Sequence, residues 1–225
     1  MTQGACIFAE ASKMRMVLVK FREISQKYPI VRGMASYSII WPTACLMQQK
    51  IMGKEEFNYA EAIRFSLYGS LYVAPTLYCW LRCASYLWPK ADLKSAVTKA
   101  LVEQVTYSPV AMCSFFFGMS FLELKPISEC IEEIKIKFWP TYKTAICVWP
   151  ILQTINFILI PERNRVVYVS VCSLAWTCFL AYMKAFEGKR KQKELMDVND
   201  ISSNITLKSP SEQLQKSGLQ LSILR

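Results

Sequence analysis

Histidine is missing altogether from the 225 residues. That removes Ser-His and Cys-His nucleophile pairs and the commonest metal ligand. Glycine is scarce, seven in all, and no phosphate-cradling loop can be assembled from so few. The nine cysteines include no CxxC pair. Most of them lie in or beside apolar stretches, where a thiol behaves as a small apolar residue. Cys79 and Cys83, one helical turn apart, are either packing residues or a redox-responsive pair. No secretory signal is expected, because the first apolar stretch covers only residues 6–9.

Charge is the most unevenly missing feature. Five windows hold no Asp, Glu, Lys or Arg: 33–49, 65–81, 104–122, 144–161 and 166–183, of 17, 17, 19, 18 and 18 residues. A helix crossing hydrocarbon needs roughly 17–25 apolar residues at ~1.5 Å rise per residue. A soluble domain has no reason to make five such runs. Disorder, a secreted disulfide scaffold and a soluble enzyme are therefore excluded. The fold class expected is all-α: a polytopic helical membrane bundle with about four crossings, a re-entrant or extra hydrophobic segment, and a surface amphipathic helix.

What is present is basic, at a formal net charge of +10. The Lys and Arg residues sit beside the apolar runs, as headgroup anchors do, and no nucleic-acid motif accompanies them. Residues 1–32 read as a basic amphipathic segment, 33–184 as the transmembrane domain, and 185–225 as a polar, disordered tail. If all five windows cross, Lys and Arg divide equally between the two sides. Counting windows four and five as one crossing gives fifteen against seven, so the positive-inside bias favours four crossings. Ile127, Cys130, Ile131, Ile134 and Phe138 recur at helical spacing between Pro126 and Pro140, and predict a short helix lying on the surface.

Each of the first four windows contains a proline: Pro42, Pro75, Pro109 and Pro150. Proline in a helix interior frees a backbone carbonyl, tolerated in a membrane where neighbouring groups or water meet it. Window four is the richest. Trp149, Gln153, Asn156 and Ile160 share one helix face, accompanied by Pro150, Phe157, Pro161 and Arg165. The two carboxamides either hydrogen-bond to other helices or line a polar pore. Gln48 and Gln104, at the edges of windows one and three, extend the set. Glu103 and Arg64 lie at window edges, where snorkelling or helix-end placement explains them. Aligning Trp41-Pro42 with Trp149-Pro150 sets Gln48 against Asn156, a faint trace of internal repetition. No acid falls inside a window, so no intramembrane carboxylate pair is expected.

The run from Trp139 to Trp176 resembles the signature of the Mpv-seventeen / peroxisomal-membrane-protein-twenty-two family. It carries Trp139, Trp149, Pro150, Gln153, Asn156, Phe157, Pro161, Arg165 and Trp176. Looser matches are Tyr28-Pro29, Gln48-Gln49, Arg64, Gly69, Pro75, Trp80, Pro89 and Glu103-Gln104 with Pro109. Thr43-Ala44 stand where members carry Gly-Asp, and Ala74 where they carry Gly, so a gating role is not carried over from that Asp. The branch most resembled is the Mpv-seventeen-like one.

The resemblance implies a four-crossing protein of the mitochondrial inner membrane or, alternatively, the peroxisomal membrane. It further implies a weakly selective channel for small metabolites, linked to organelle homeostasis and reactive-oxygen metabolism. The alternative function is a non-conducting adaptor that binds proteins through its surface helix and tail. The expected partners are the lipid bilayer, small-molecule solutes and further copies of the chain as a homo-oligomer, without nucleic acid. No enzyme activity, cofactor or metal is expected.

Overall fold

The computed structural model describes residues 14–16, 19–182 and 196, and no strand occurs among them. By packing, the chain divides into Met1–Phe179 and Leu180–Arg225. Helix α1 covers 19–27. It is followed by α2 (Pro29–Ile51), α3 (Tyr59–Tyr68), a π-helical turn (Gly69–Val73), α4 (Ala74–Leu87), α5 (Leu93–Val105), α6 (Tyr107–Leu122) and α7 (Ile127–Leu159). The turn Glu162–Asn164 then leads into α8, residues 165–182. Residues 1–13 and the tail expected at 185–225 lie outside the described residues, apart from Met196.

Local chemistry sets the boundaries. Pro29 opens α2, where its missing N–H costs nothing. Asn58 caps α3 by accepting from the N–H of Glu61, and Asp92 caps α5 by accepting from Ser95. The four window prolines act differently according to position. Pro42 lies inside α2 and is absorbed there. Pro75 follows directly on the π turn, whose wider coil relieves the clash a proline makes with the carbonyl four residues back. Pro109 stands in the first turn of α6, beyond a break at Thr106 that bends α5 from α6 by 40°.

Pro140 and Pro150 do not end their helix. The short surface helix expected between Pro126 and Pro140 is thereby corrected: Ile127–Leu159 is one helix of 33 residues, roughly 50 Å long at the usual rise. Its charged first half runs without a break into its apolar second half. Packing overrides the proline penalty. Just past Pro140, the ring of Phe138 stacks on Tyr142 at 5.2 Å, and the Tyr142 hydroxyl donates to the Gln104 carbonyl at 2.8 Å. Thr144 and Thr154 donate to the carbonyls of Pro140 and Pro150.

Each apolar window is thus helical, window two running through the π turn and window three across the break at Thr106, and successive windows pack antiparallel. Ser66 meets Ser38 across α2 and α3, Trp80 meets Glu103 across α4 and α5, and Glu103 meets Gln153 across α5 and α7. Windows four and five lie on separate helices, turned at Ile160–Pro161. α2 and α8 run parallel, their contact made by small residues: Gly33 lies against Val166, and Ser36 bonds Ser170 at 3.1 Å. One apolar cluster joins Tyr37, Leu77, Leu81, Phe157, Val166 and Val169; a second joins Cys45, Ala62, Phe65 and Met119. Outward faces remain apolar, with Ile39, Leu71, Val110, Ile151 and Val171 exposed. Glu162–Tyr182 is by itself long and apolar enough to cross a membrane, and Leu93–Val105 with Tyr107–Leu122 qualifies as one bent pair.

Candidate functional site

The buried interior of α4, α5, α7 and α8 contains a connected series of polar side chains. Glu103 of α5 is 5% exposed, and its two oxygens accept from Trp80 Nε1 at 2.9 Å and from Gln153 Nε2. Gln153, 2% exposed, accepts in turn from Asn156 Nδ2 at 2.8 Å. Asn156 is fully buried, and its Oδ1 has no protein partner among the described residues. Within hydrocarbon an unmet polar group costs several kcal/mol, so the series is held by mutual satisfaction: three groups satisfied for one carbonyl left over.

Phe157 follows on the same turn. Its ring carries the Lys99 ammonium and the Arg165 guanidinium, each 5.2 Å from the centroid. Two buried cations on one ring make a pair of cation–π contacts. Arg165, at the start of α8, donates from Nε to the Ile160 carbonyl at 3.2 Å and from Nη2 to the Phe157 carbonyl at 3.3 Å. Those are carbonyls at the end of α7, which lack partners within their own helix. Its Nη1 reaches Ser85 Oγ of α4 at 2.7 Å. The series therefore runs from Glu103 through Gln153, Asn156, Phe157 and Arg165 to Ser85.

Sequence expectation and structure agree on α7 and part elsewhere. Gln153, Asn156 and Phe157 are buried together and Arg165 joins them. Trp149 is half-buried and packs its ring on Trp176 at 6.1 Å, while Pro161 is exposed in the turn. Gln48 is half-buried; its neighbour Gln49 turns inward instead, bonding Asn58 and Glu61 across the α2–α3 connection. Gln104 is buried beside the series; its backbone carbonyl accepts from Tyr142, and its Nε2 has no partner among the described residues. Pro42, Pro75 and Pro109 are half-buried and shape helices away from the carboxamides. The two Trp-Pro pairs meet unlike neighbours: Trp41 packs on Tyr37, Phe65 and Phe115, not on a counterpart of Trp176.

One reading is corrected. Glu103 does stand in the last turn of α5, but it does not snorkel; its carboxyl is enclosed between Trp80 and Gln153. Glu103 stands one residue outside window three, a single buried acid and not a carboxylate pair. A charge-free window marks a boundary in sequence, whereas burial depends on which helix face meets a neighbour. Trp80, Lys99 and Ser85 were not singled out as site residues; the spacing of Lys99 to Glu103, one turn apart on α5, is the signal that was available. Arg64 pairs with Glu123 at 3.2 Å.

The Mpv17 / PMP22 family model matches residues 120–181, the stretch that supplies Gln153, Asn156, Phe157 and Arg165. An Mpv17-like protein of Bos taurus is 32% identical over 136 residues, 60% of this chain and 68% of its own length. The chain belongs to the Mpv17 / PMP22 family. An Mpv17-like protein of Xenopus laevis is 29% identical over 170 residues, 75% of this chain and 81% of its own. The Caenorhabditis elegans relative, named mitochondrial inner membrane protein Mpv17, is 26% identical over 171 residues, 75% of this chain and 93% of its own. No solved structure matches the chain. As a member of this family it is an integral membrane protein, and its relatives' names agree with the mitochondrial inner membrane expected from sequence. Apolar outward faces around a polar interior follow from that setting, since lipid offers no hydrogen bonds.

Proposed function

We propose that this protein is a weakly selective channel for small metabolites across an organelle membrane, made of about four crossings. The observation that supports it is the buried series Glu103–Gln153–Asn156, continued past Phe157 to Arg165 and Ser85. A helical bundle held only for packing has no need of a carboxylate, two carboxamides and two cations in its interior, because each must be satisfied at the expense of apolar contact. The leftover Asn156 Oδ1 and Gln104 Nε2 are places where a passing polar solute or water finds a partner. Enzymatic chemistry has little to work with here, and a homo-oligomer remains part of the reading. The Caenorhabditis elegans relative named for the mitochondrial inner membrane supports that compartment, with the peroxisomal membrane as the alternative.

Purified protein fused into planar bilayers is expected to give discrete conductance, with Gln153→Leu and Asn156→Leu altering its amplitude or open time. A well-folded preparation with neither conductance nor solute flux in liposomes would overturn the proposal. A second reading, a non-conducting adaptor, draws on the exposed face of α7, where Ile136 and Trp139 lie among Glu129, Glu132 and Lys135. Charge-swapping Glu132 and Glu133 would then abolish partner co-purification and leave the helices folded.

A further inference from the structure

The polar series ends at a cavity of about 180 Å³, lined by Tyr78, Arg82 and Ser85 of α4 and by Glu162, Arg163 and Arg165 around the start of α8. Three guanidiniums against one carboxylate leave its lining at a net charge of two positives. Arg165 is 9% exposed, and three of its five N–H groups are used on Ile160, Phe157 and Ser85. Glu162 approaches it only to 3.7 Å and is otherwise turned out to solvent. Arg82 and Arg163 are exposed at the rim. Arg82 donates to the Tyr78 hydroxyl at 3.4 Å, which leaves that hydroxyl's own proton free to donate into the cavity. The neighbouring start of α2 adds the positive end of a 23-residue helix with no acid in its first turn.

Like charges gathered round a hollow destabilise one another unless an anion joins them. The arrangement has the parts to receive one: planar forks that match tetrahedral and carboxylate oxygens, with hydroxyl donors between them. Size and charge narrow the choice. The cavity falls below the roughly 300–1,000 Å³ of sites for drug-sized ligands and holds about six waters' worth of liquid. A phosphate group at neutral pH carries about −1.5 to −2 charges, close to the excess of the lining.

We propose that this cavity is a phosphate-group site, formed by Arg82, Arg163 and Arg165 with Tyr78 and Ser85, at one end of the buried polar series. The group is that of a free phosphate or the headgroup of an anionic phospholipid. Binding stands on the cavity itself and does not require conduction, so its failure and that of the channel are separate results.

The test uses full-length protein, delipidated by exchange into neutral detergent, and the double variant Arg82→Gln/Arg163→Gln. Both substitutions lie at the exposed rim and leave Arg165, Ser85 and the interior intact; equal helix content by circular dichroism checks the fold. In the first arm, inorganic phosphate is expected to raise the unfolding temperature of the wild-type chain, with chloride at equal ionic strength ineffective. The apparent affinity should fall at least about tenfold in the double variant, as expected for charge-assisted contacts. In the second arm, nanodiscs of phosphatidylcholine with or without phosphatidylglycerol are followed by native mass spectrometry. Retention of phosphatidylglycerol by wild type and not by the double variant assigns the headgroup as the source. The proposal is overturned by no response in either arm, by equal binding in the double variant, or by acetate protecting as well as phosphate.

Discussion

The interior has two regions built on opposite principles. Around α2, α3 and α6 it is aromatic: Trp41, Phe65, Tyr68 and Phe115 meet ring to ring at 5.7–6.0 Å. Glycines admit them, since a Cβ on Gly118 would stand 2.5 Å from the Tyr68 ring. Around α4, α5, α7 and α8 the interior is polar, joined by Glu103, Gln153, Asn156 and Arg165. In water both regions would draw on apolar burial; in lipid the tails are as apolar as the side chains, and helices associate through close packing and hydrogen bonds. The comparison shows each solution in one molecule, shape on one side and polar satisfaction on the other.

The largest effect should come from breaking the polar region. Gln153→Leu deprives Glu103 of one of its two donors and Asn156 of its acceptor. A loss of about 2–3 kcal/mol is expected, because buried polar groups left without their partners cost more than the bonds were worth. Denaturant unfolding of the purified protein in detergent measures it. An unchanged midpoint would mean that water substitutes freely at Gln153 and that the polar region is not held by mutual satisfaction.

Next comes the aromatic region. Gly118→Val forces its new atoms into the Tyr68 ring, and overpacking of this kind costs about 1–3 kcal/mol. The two variants are expected to differ in kind as well as size. Gln153→Leu should alter conductance or solute flux, whereas Gly118→Val should lower stability and leave the conductance of the folded fraction as it was.

The smallest effect sharpens the contrast between buried and surface polar groups. Lys125 bonds Glu123 at 2.9 Å and Glu133 at 3.4 Å, and Glu133 also pairs with Lys137. Lys137, then Lys125, hold the Glu133 carboxyl below its usual range; Glu123, then Glu133, raise the Lys125 ammonium above its own. Glu133 therefore stabilises the fold above its unfolded value near 4.5, and that contribution disappears as pH falls through its lowered folded value. The contribution of Lys125 is present below 10.5 and is lost as pH rises through its raised value. The cluster is half open to solvent, so each arm should amount to about 0.5 kcal/mol or less and shrink in high salt. Thermal scans from pH 3 to 6 at two ionic strengths check this; a salt-independent loss would place the cluster among the buried groups instead.

Much of the fold was legible from the chain alone, for reasons that differ between elements. The five charge-free windows all became helical, because a run without charges in lipid has little alternative to a helix. The face carrying Gln153 and Asn156 was readable because helical periodicity depends only on spacing. The surface helix at 126–140 was misread because proline's local penalty is visible in sequence and the packing of α5 and α6 beside Pro140 is not. Glu103 reads in sequence as an edge residue because its place beside a window says nothing about which way α5 turns.

Sequence by itself determined the helical class, the membrane setting, the family and the carboxamide face of α7. Those follow from composition, period and motif, which are properties of one segment at a time. Tertiary structure alone decided that Trp80, Glu103, Gln153 and Asn156 form one network, that Gln49 and not Gln48 turns inward, and that Arg82, Arg163 and Arg165 surround a single cavity. These residues stand up to 83 positions apart, and only the antiparallel return of the rods brings their charges and donors within bonding distance.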